Sequence, residues 1–366
     1  MKKKILLLSG YDAASHKYWR GLLAQHLNDF DWTQLALPDR HFYWRVRGNS
    51  MGFAFNHTDV LSQNYDLLIV TSMVDLSSLR GFCPSLANIP TIVYFHENQF
   101  AYPVSDAKQN LINVQLTSIY SALCADKVIF NSEYNKTTFL VGCSALLKRL
   151  PDEVPSGLSE QIETKSEVLA VPIHSDVTAY ASNTKLDNAI PHILWNHRWE
   201  YDKQPEVFFN ALSKLKKTGF EFKLHILGQS FRNQPDCFEQ AKLEFEDEII
   251  NYGYQTREQY LKIVAGSDIV ISSTLHDFQG LSLQEAISLD CIPIAPDRVA
   301  YPEYIPKQYL YAVSDDIDVE SENLFVKLKD VINSKGFIAP NLEQYSTKQL
   351  IPKYLKSFKQ LLQPNK

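Results

Sequence analysis

Short, uninterrupted apolar runs alternate along this chain with longer segments whose apolar residues recur every three or four positions. "KILLL", "DLLIVTS", "TIVYFH", "KVIFNS" and "EVLAVP" are the runs of the first half, and "HILWNH", "FKLHILG", "DIVISS" and "CIPIAP" those of the second. A run that is apolar at every position, rather than every second one, predicts a strand buried on both faces, as in a parallel sheet covered by helices. "SHKYWRGLLAQHL" and "QPEVFFNALSKLKKTG" have the spacing of amphipathic helices. The alternation predicts an α/β chain of two Rossmann-like, doubly wound domains facing each other across a cleft. The stretch 175–191, "SDVTAYASNTKLDNAIP", lacks periodicity and is rich in turn-forming residues, so it places the linker. The expected domains are 1–175 and 190–345, followed by a closing helix over 346–366.

Ligands of such folds bind where loops leave the carboxyl ends of the strands. "HDFQGLSLQEA", 276–286, follows one strand and contains Asp277 and Glu285 on either side of Gly280. The glycine allows close backbone approach and the helix start offers free amides to a phosphate. Asp277 and Glu285 then suit different hydroxyls of one nucleotide sugar, with Phe278, Gln279 and Leu281 flanking the same turn. A purely local reading stays open: Ser282 and Glu285 fit an S-x-x-E capping box and Asp277 an ordinary loop acid. "WNHRWEYDKQPE", 195–206, follows another strand and carries Arg198 and Lys203, a fork and an ammonium able to grip a diphosphate or simply to stay solvated.

In the first half, His96 follows the strand "TIVYFH" and is followed by Glu97, Asn98 and Gln99, polar groups suited to sugar or acceptor hydroxyls; a structural role for the histidine is the alternative. The first strand leads into "SGYDAASHKYWR", which brings Gly10 and His16 toward the same edge. It is no GxGxxG, so a dinucleotide cofactor is not expected. "RHFYWRVRG", 40–48, interleaves Trp44 with Arg45 and Arg47, as for an unstacked RNA loop, or begins an amphipathic helix that buries Phe42 and Tyr43. "DDID", 315–318, reads as acids at a helix start rather than a metal motif, and no metal is expected.

The chain has 366 residues, more than one core usually accommodates, and five scattered cysteines without a CxxC pair, which fits a reducing cytoplasm. No apolar run approaches the roughly 20 residues of a membrane span, and "MKKKILLLSG" reads as a buried strand rather than a signal. The net charge of −6 argues against general nucleic-acid binding, yet residues 1–150 hold 14 Lys+Arg against 11 Asp+Glu and the remainder 22 against 31. Only the first half suits a polyanion.

The acid pair around Gly280 with Arg198 and Lys203 upstream resembles the signature of retaining family 4 glycosyltransferases of GT-B fold. More closely, "YFHENQFAYP", "NHRWEYDK", "HDFQGLSLQEA" and "PDRVAYPE" resemble the tRNA-queuosine α-mannosyltransferases. The resemblance implies a GDP-mannose donor, retention of configuration, and as acceptor the cyclopentene diol of queuosine in a tRNA anticodon, that of tRNA-Asp. It implies that Arg198 and Lys203 hold the diphosphate, Asp277 the mannose hydroxyls, Glu285 the donor ribose, and that His96 contacts the donor sugar. The first acid is usually Glu and is Asp277 here, and Gln279 stands where Phe is common. The shorter acid requires a loop closer to the sugar or a different hexose. A family 4 enzyme with another nucleotide sugar or a small acceptor, and a binding protein without turnover, are the alternatives.

Overall fold

The structure, a computed structural model, describes residues 2–102, 111–181, 190–230, 234–334 and 336–363. It divides into two compact units, residues 1–172 with 347–366 and residues 173–346. Each unit is built on a six-stranded sheet. The first contains β1 (Lys4–Ser9), β2 (Asp31–Ala36), β3 (Leu67–Thr71), β4 (Thr91–Phe95), β5 (Lys127–Phe130) and β6 (Ser166–Val168), in the order β2-β1-β3-β4-β5-β6. The second contains β7 (His192–Asn196), β8 (Lys223–Leu227), β9 (Ile249–Gly253), β10 (Ile269–Ile271), β11 (Ile292–Pro296) and β12 (Leu310–Tyr311), in the order β12-β11-β10-β7-β8-β9. All of these pairings are parallel. The expected α/β architecture of two doubly wound sheets is present.

Most strands that the apolar pattern marks are covered on both faces, the edge strand β6 being only half-buried. Ile5–Leu8, Leu67–Val70 and Ile92–Phe95 are all buried. The strands it missed, β2, β9 and β12, are all sheet edges. β2 reads "DWTQLA" and is only partly covered along its length, so its sequence has no continuous apolar run to offer. The 175–191 stretch also requires correction. Its first part forms a helix, Ser175–Ala181, whose Val177 joins the apolar cluster of Leu261, Leu283 and Ala286. Seven residues, about two helical turns, are too few to register as periodicity, while residues 182–189 lie outside the described ones.

The closing helix, Thr347–Leu362, returns to the first unit. Its Leu350, Tyr354 and Phe358 are buried at positions 350, 354 and 358, one face of the helix. The Tyr354 hydroxyl accepts from Trp19 Nε1 at 3.1 Å and lies 3.0 Å from the Tyr94 hydroxyl. It also reaches the carbonyl oxygens of Leu169 and Ala170 at 3.1 and 3.0 Å. Phe358 packs against Phe30 and Trp32. One buried oxygen therefore ties the chain's end to β4, to the first helix and to the segment after β6. Tyr354→Phe removes that oxygen and orphans the Trp19 N–H, and should lower stability by about 1–3 kcal/mol. Chemical denaturation of the variant would show this; an unchanged midpoint would assign the helix's anchoring to apolar packing alone.

Candidate active site

In the second unit the strand order reverses between β7 and β10, the position at which such sheets bind ligands. The loops that leave these two strands carry Asn196–Lys203 and Ser272–Gly280, and hydrogen bonds lock them together. Leu275 N and Thr274 Oγ1 donate to the Asp202 carbonyl at 2.8 and 3.0 Å, and Ser273 Oγ donates to the Lys203 carbonyl at 2.8 Å. Arg298 adds a brace, donating to the carbonyls of Thr274 and Ser273 and to Gln204 Oε1 while pairing with the buried Glu320.

Lys203 is buried, and its ammonium donates to the His276 carbonyl at 2.7 Å and faces the Asp202 carboxylate at 3.3 Å. The two histidines near it must stay neutral. Burial, reinforced by the Lys203 charge, pushes His197 and His276 each down to about 4. Asp277 goes the other way: burial would raise its pKa, but Lys203, the two histidines and a hydrogen bond from Tyr301 hold the carboxyl below its usual range. Arg198 lies apart, half-exposed, its Nη1 paired with Glu200 Oε2 at 2.7 Å.

Gly280 caps the helix Leu281–Ser288 with φ of +77°. A Cβ at this position would sit 2.6 Å from the Tyr304 hydroxyl and 2.7 Å from the Tyr301 ring, so both conformation and space demand glycine. Asp277 Oδ1 accepts from Gly280 N at 3.1 Å and Oδ2 from the Tyr301 hydroxyl at 3.1 Å, which aims the carboxylate across the helix start. The capping-box alternative does not hold. The cap is Gly280, so Ser282 lies inside the helix, and Glu285 is engaged elsewhere: Arg257 Nη1 and Nη2 donate to its two oxygens at 2.9 and 2.7 Å. Phe278 is buried with its ring edge-on to His276, Gln279 donates to Gln284 Oε1 at 2.8 Å, and Leu281 is half-buried. Asn196 donates to the Tyr260 hydroxyl and to the Ser282 carbonyl, both at 3.0 Å. Its Oδ1, His197 Nε2 and the Tyr304 hydroxyl are buried without a partner among the described residues. Buried polar atoms of this kind suit a polar ligand.

In the first unit, His96 follows β4 and His16 lies in the first turn of the helix Ala14–His26 that follows β1. Their rings stack at 3.9 Å, and Trp19 sits edge-on to His96. Burial lowers His16 to about 4 against the opposing charge of Asp12, while burial and the charge of His16 push His96 well down. His16 Nδ1 and His96 Nε2 lack partners among the described residues. Gly10 packs on the Met73 backbone, where a Cβ would sit at 3.3 Å.

The residues after His96 divide. The Asn98 amide donates to the Asn135 carbonyl and side chain and to Thr138, and its oxygen accepts from Phe100 N and Ala101 N, so Asn98 is a keystone of its own loop. Gln99 is buried and Glu97 half-buried. Of the motif "YFHENQFAYP", Pro103 lies outside the described residues.

Residues Phe42–Asn56 form a helix, so the amphipathic reading of "RHFYWRVRG" is partly correct. Phe42 packs edge-on against Tyr11, but Tyr43 and Trp44 stay exposed, and the Trp44 indole lies over Gly48, where a Cβ would meet it at 2.5 Å. Arg47 donates to Asp75 Oδ2 at 2.8 Å yet remains largely exposed, and Arg45 is half-buried.

Residues 4–173 match the family described as tRNA-queuosine alpha-mannosyltransferase N-terminal, and residues 179–322 match the glycosyl transferases group 1. A tRNA-queuosine alpha-mannosyltransferase of Drosophila melanogaster is 35% identical over 367 residues, 98% of this chain and 97% of that protein. The chain belongs to the tRNA-queuosine α-mannosyltransferase family. Among solved structures, a glycosyltransferase from Rickettsia africae aligns over 100% of both chains with a TM-score of 0.67 at 15% identity. A sucrose-phosphate synthase from Thermosynechococcus elongatus aligns over 98% of this chain and 99% of its own, at 0.66 and 13%. These likenesses establish the GT-B fold for this member of the mannosyltransferase family.

Placed in the mannosyltransferase fold, Lys203, Asp277, Gly280 and Glu285 converge around the β7 and β10 loops, and His16 and His96 converge in the first unit. Arg257 and Tyr301 escaped the sequence reading because their partners Glu285 and Asp277 lie 28 and 24 positions away, and His197 and Tyr304 because only the folded loops bury them here. The "DDID" acids behave as expected of a helix start: Asp316 accepts from Asp318 N and Val319 N at the head of Ile317–Asn333. Among the described residues, no helix is long and apolar enough to cross a membrane.

The neutral histidines set the acid response. Above the usual histidine value of 6.5, His16, His197 and His276 are neutral both folded and unfolded and add no pH dependence. Between 6.5 and about 4 only the unfolded chain takes up their protons, so each subtracts about 1.4 kcal/mol per pH unit. Asp277 works in the same direction, its contribution being present above the ordinary carboxylate range and lost as pH falls through its depressed folded value. Urea midpoints should therefore be nearly level above 6.5 and fall steeply toward 4; a midpoint rising in that window would contradict the assignment.

Proposed function

We propose that this protein transfers mannose from GDP-mannose, with retention, to the cyclopentene diol of queuosine in a tRNA anticodon. The supporting observation is the meeting, in a chain of this family, of a buried lysine, an ionised Asp277 and a glycine-capped helix start where the second sheet reverses its strand order. Departure of GDP develops negative charge on the β-phosphate. The Lys203 ammonium and the amides at the start of Leu281–Ser288 are fixed before the reaction and cost no reorganisation. Arg198 exchanges Glu200 for the diphosphate, bringing a second cation. Asp277, its lone pairs oriented by Gly280 and Tyr301, accepts from mannose hydroxyls, and Glu285 accepts from the donor ribose. With these cations in place we propose that no metal takes part.

The first unit carries the acceptor chemistry. His96, neutral at pH 7, offers an unprotonated nitrogen to a hydroxyl of the donor sugar and His16 one to the acceptor, and the exposed Trp44 with Arg45 and Arg47 provides a ring and two guanidiniums for unpaired RNA. The acceptor hydroxyl attacks the face that the diphosphate leaves and passes its proton to the departing phosphate oxygen. A queuosine acceptor places the protein in the cytoplasm with its tRNA.

Incubation with queuosine-containing tRNA and GDP-mannose, followed by mass spectrometry of the nucleosides, should show a gain of one hexose, α-linked; a β-linked product would overturn retention. Parallel reactions with other nucleotide sugars test whether Asp277 in place of Glu changes the donor. Arg198→Ala, at a half-exposed position, should lower kcat about a hundredfold at saturating tRNA. An unchanged kcat would remove Arg198 from the phosphate site.

A further inference from the structure

Arg257 is the first residue of the helix Arg257–Ala265 that follows the edge strand β9, and Thr256 caps that helix through Gln259 N. Its guanidinium meets three groups at once. Nη1 and Nη2 donate to Glu285 Oε2 and Oε1 at 2.9 and 2.7 Å, Nε and Nη2 reach Asp176 Oδ2 and Oδ1 at 3.3 Å, and the guanidinium carbon lies 5.6 Å from the centroid of the Tyr260 ring. Glu285 has only 7% of its side chain exposed, whereas Arg257 has 42%. A planar fork engaged in this way cannot rotate without releasing a carboxylate, so it holds the Glu285 carboxylate in one plane.

We propose that Arg257, steadied by Asp176, is a positioning residue that sets the Glu285 carboxylate to receive the 2′-hydroxyl of the donor's ribose. This rests on the reading of Glu285 as the ribose ligand. A carboxylate has about four acceptor sites. Arg257 takes one on each oxygen and the Tyr260 hydroxyl, itself accepting from Asn196, takes a third, which leaves one aimed site for a ribose hydroxyl. A freely rotating glutamate would offer the same atoms at an entropic cost met on every binding event. Asp176 sits on the short helix at the start of the second unit, so a residue that the sequence assigns to a linker belongs to the donor-recognition machinery. Lysine at 257 retains the charge but lacks the fork.

The test compares GDP-mannose with its 2′-deoxyribose analogue in wild type, Arg257→Lys, Asp176→Asn and Glu285→Gln, with full-length protein and queuosine-containing tRNA. Wild type should favour the ribose donor. Arg257→Lys should raise the KM for GDP-mannose about ten- to a hundredfold, the worth of an oriented charged hydrogen bond, with kcat changed little. Its KM for the deoxy donor should stay near the wild-type value, so that discrimination collapses. Asp176→Asn should shift the ratio in the same direction by less. Equal loss on both donors would mean a merely structural role and overturn the proposal, as would wild-type discrimination in Arg257→Lys. If Glu285→Gln keeps full discrimination, the ribose assignment of Glu285 itself fails, an outcome separable from failure of Arg257. Lys262→Ala, on the exposed side of the same helix, is the control expected to change neither donor's KM.

Discussion

A lysine ammonium held under a backbone carbonyl is the constraint on which the second unit's site depends. A buried cation is tolerated only when oxygen atoms surround it, and Lys203 finds them in the His276 carbonyl and in Asp202. That requirement ties the 201–203 turn to the 273–276 loop. Burial, reinforced by the same positive charge, keeps His197 and His276 neutral, and that charge helps to hold Asp277 ionised. The Asp277 carboxylate is also pinned to Gly280 and Tyr301, which fixes its aim.

The first unit solves a different problem. Its loops after β1 and β4 bring together two imidazoles rather than a fixed charge, and stacking with burial keeps both unprotonated. Behind them Trp19 and Tyr94 stack at 4.1 Å, and both reach the Tyr354 hydroxyl of the last helix. The carboxyl-terminal helix is therefore a support for the histidine pair, transmitted through Trp19 and Tyr94. A unit with neutral hydrogen-bonding groups and exposed aromatics suits hydroxyls and bases, as the unit with the buried lysine suits phosphates.

Two local readings show how a motif can mislead. S-x-x-E at 282–285 has the letters of a capping box, yet an αL glycine already ends the turn two residues earlier and frees Glu285 to pair with Arg257, 28 positions away. Asn98, in a run of polar residues that invites a ligand, has its oxygen occupied by its own loop and its amide nitrogen by Asn135 of the helix Glu133–Leu147. Letters in sequence state which hydrogen bonds a residue can make; packing selects among them.

What the sequence by itself determined is the pair of parallel sheets, because a strand covered on both faces must be apolar at every position, and that pattern survives reading one residue at a time. It also determined that Asp277, Gly280, Arg198 and Lys203 stand between buried strands and the helices that follow them, with Glu285 inside such a helix. The partly covered edge strands β2 and β9 obey no such demand, and the buried edge strand β12 is only two residues long, so all three were silent. Only the tertiary structure decided the partners: Arg257 with Glu285 and Asp176, His16 with His96, Tyr354 with Trp19 across 335 positions. These contacts join residues remote in sequence, and a linear pattern has no term for a distance that only the folded sheets create.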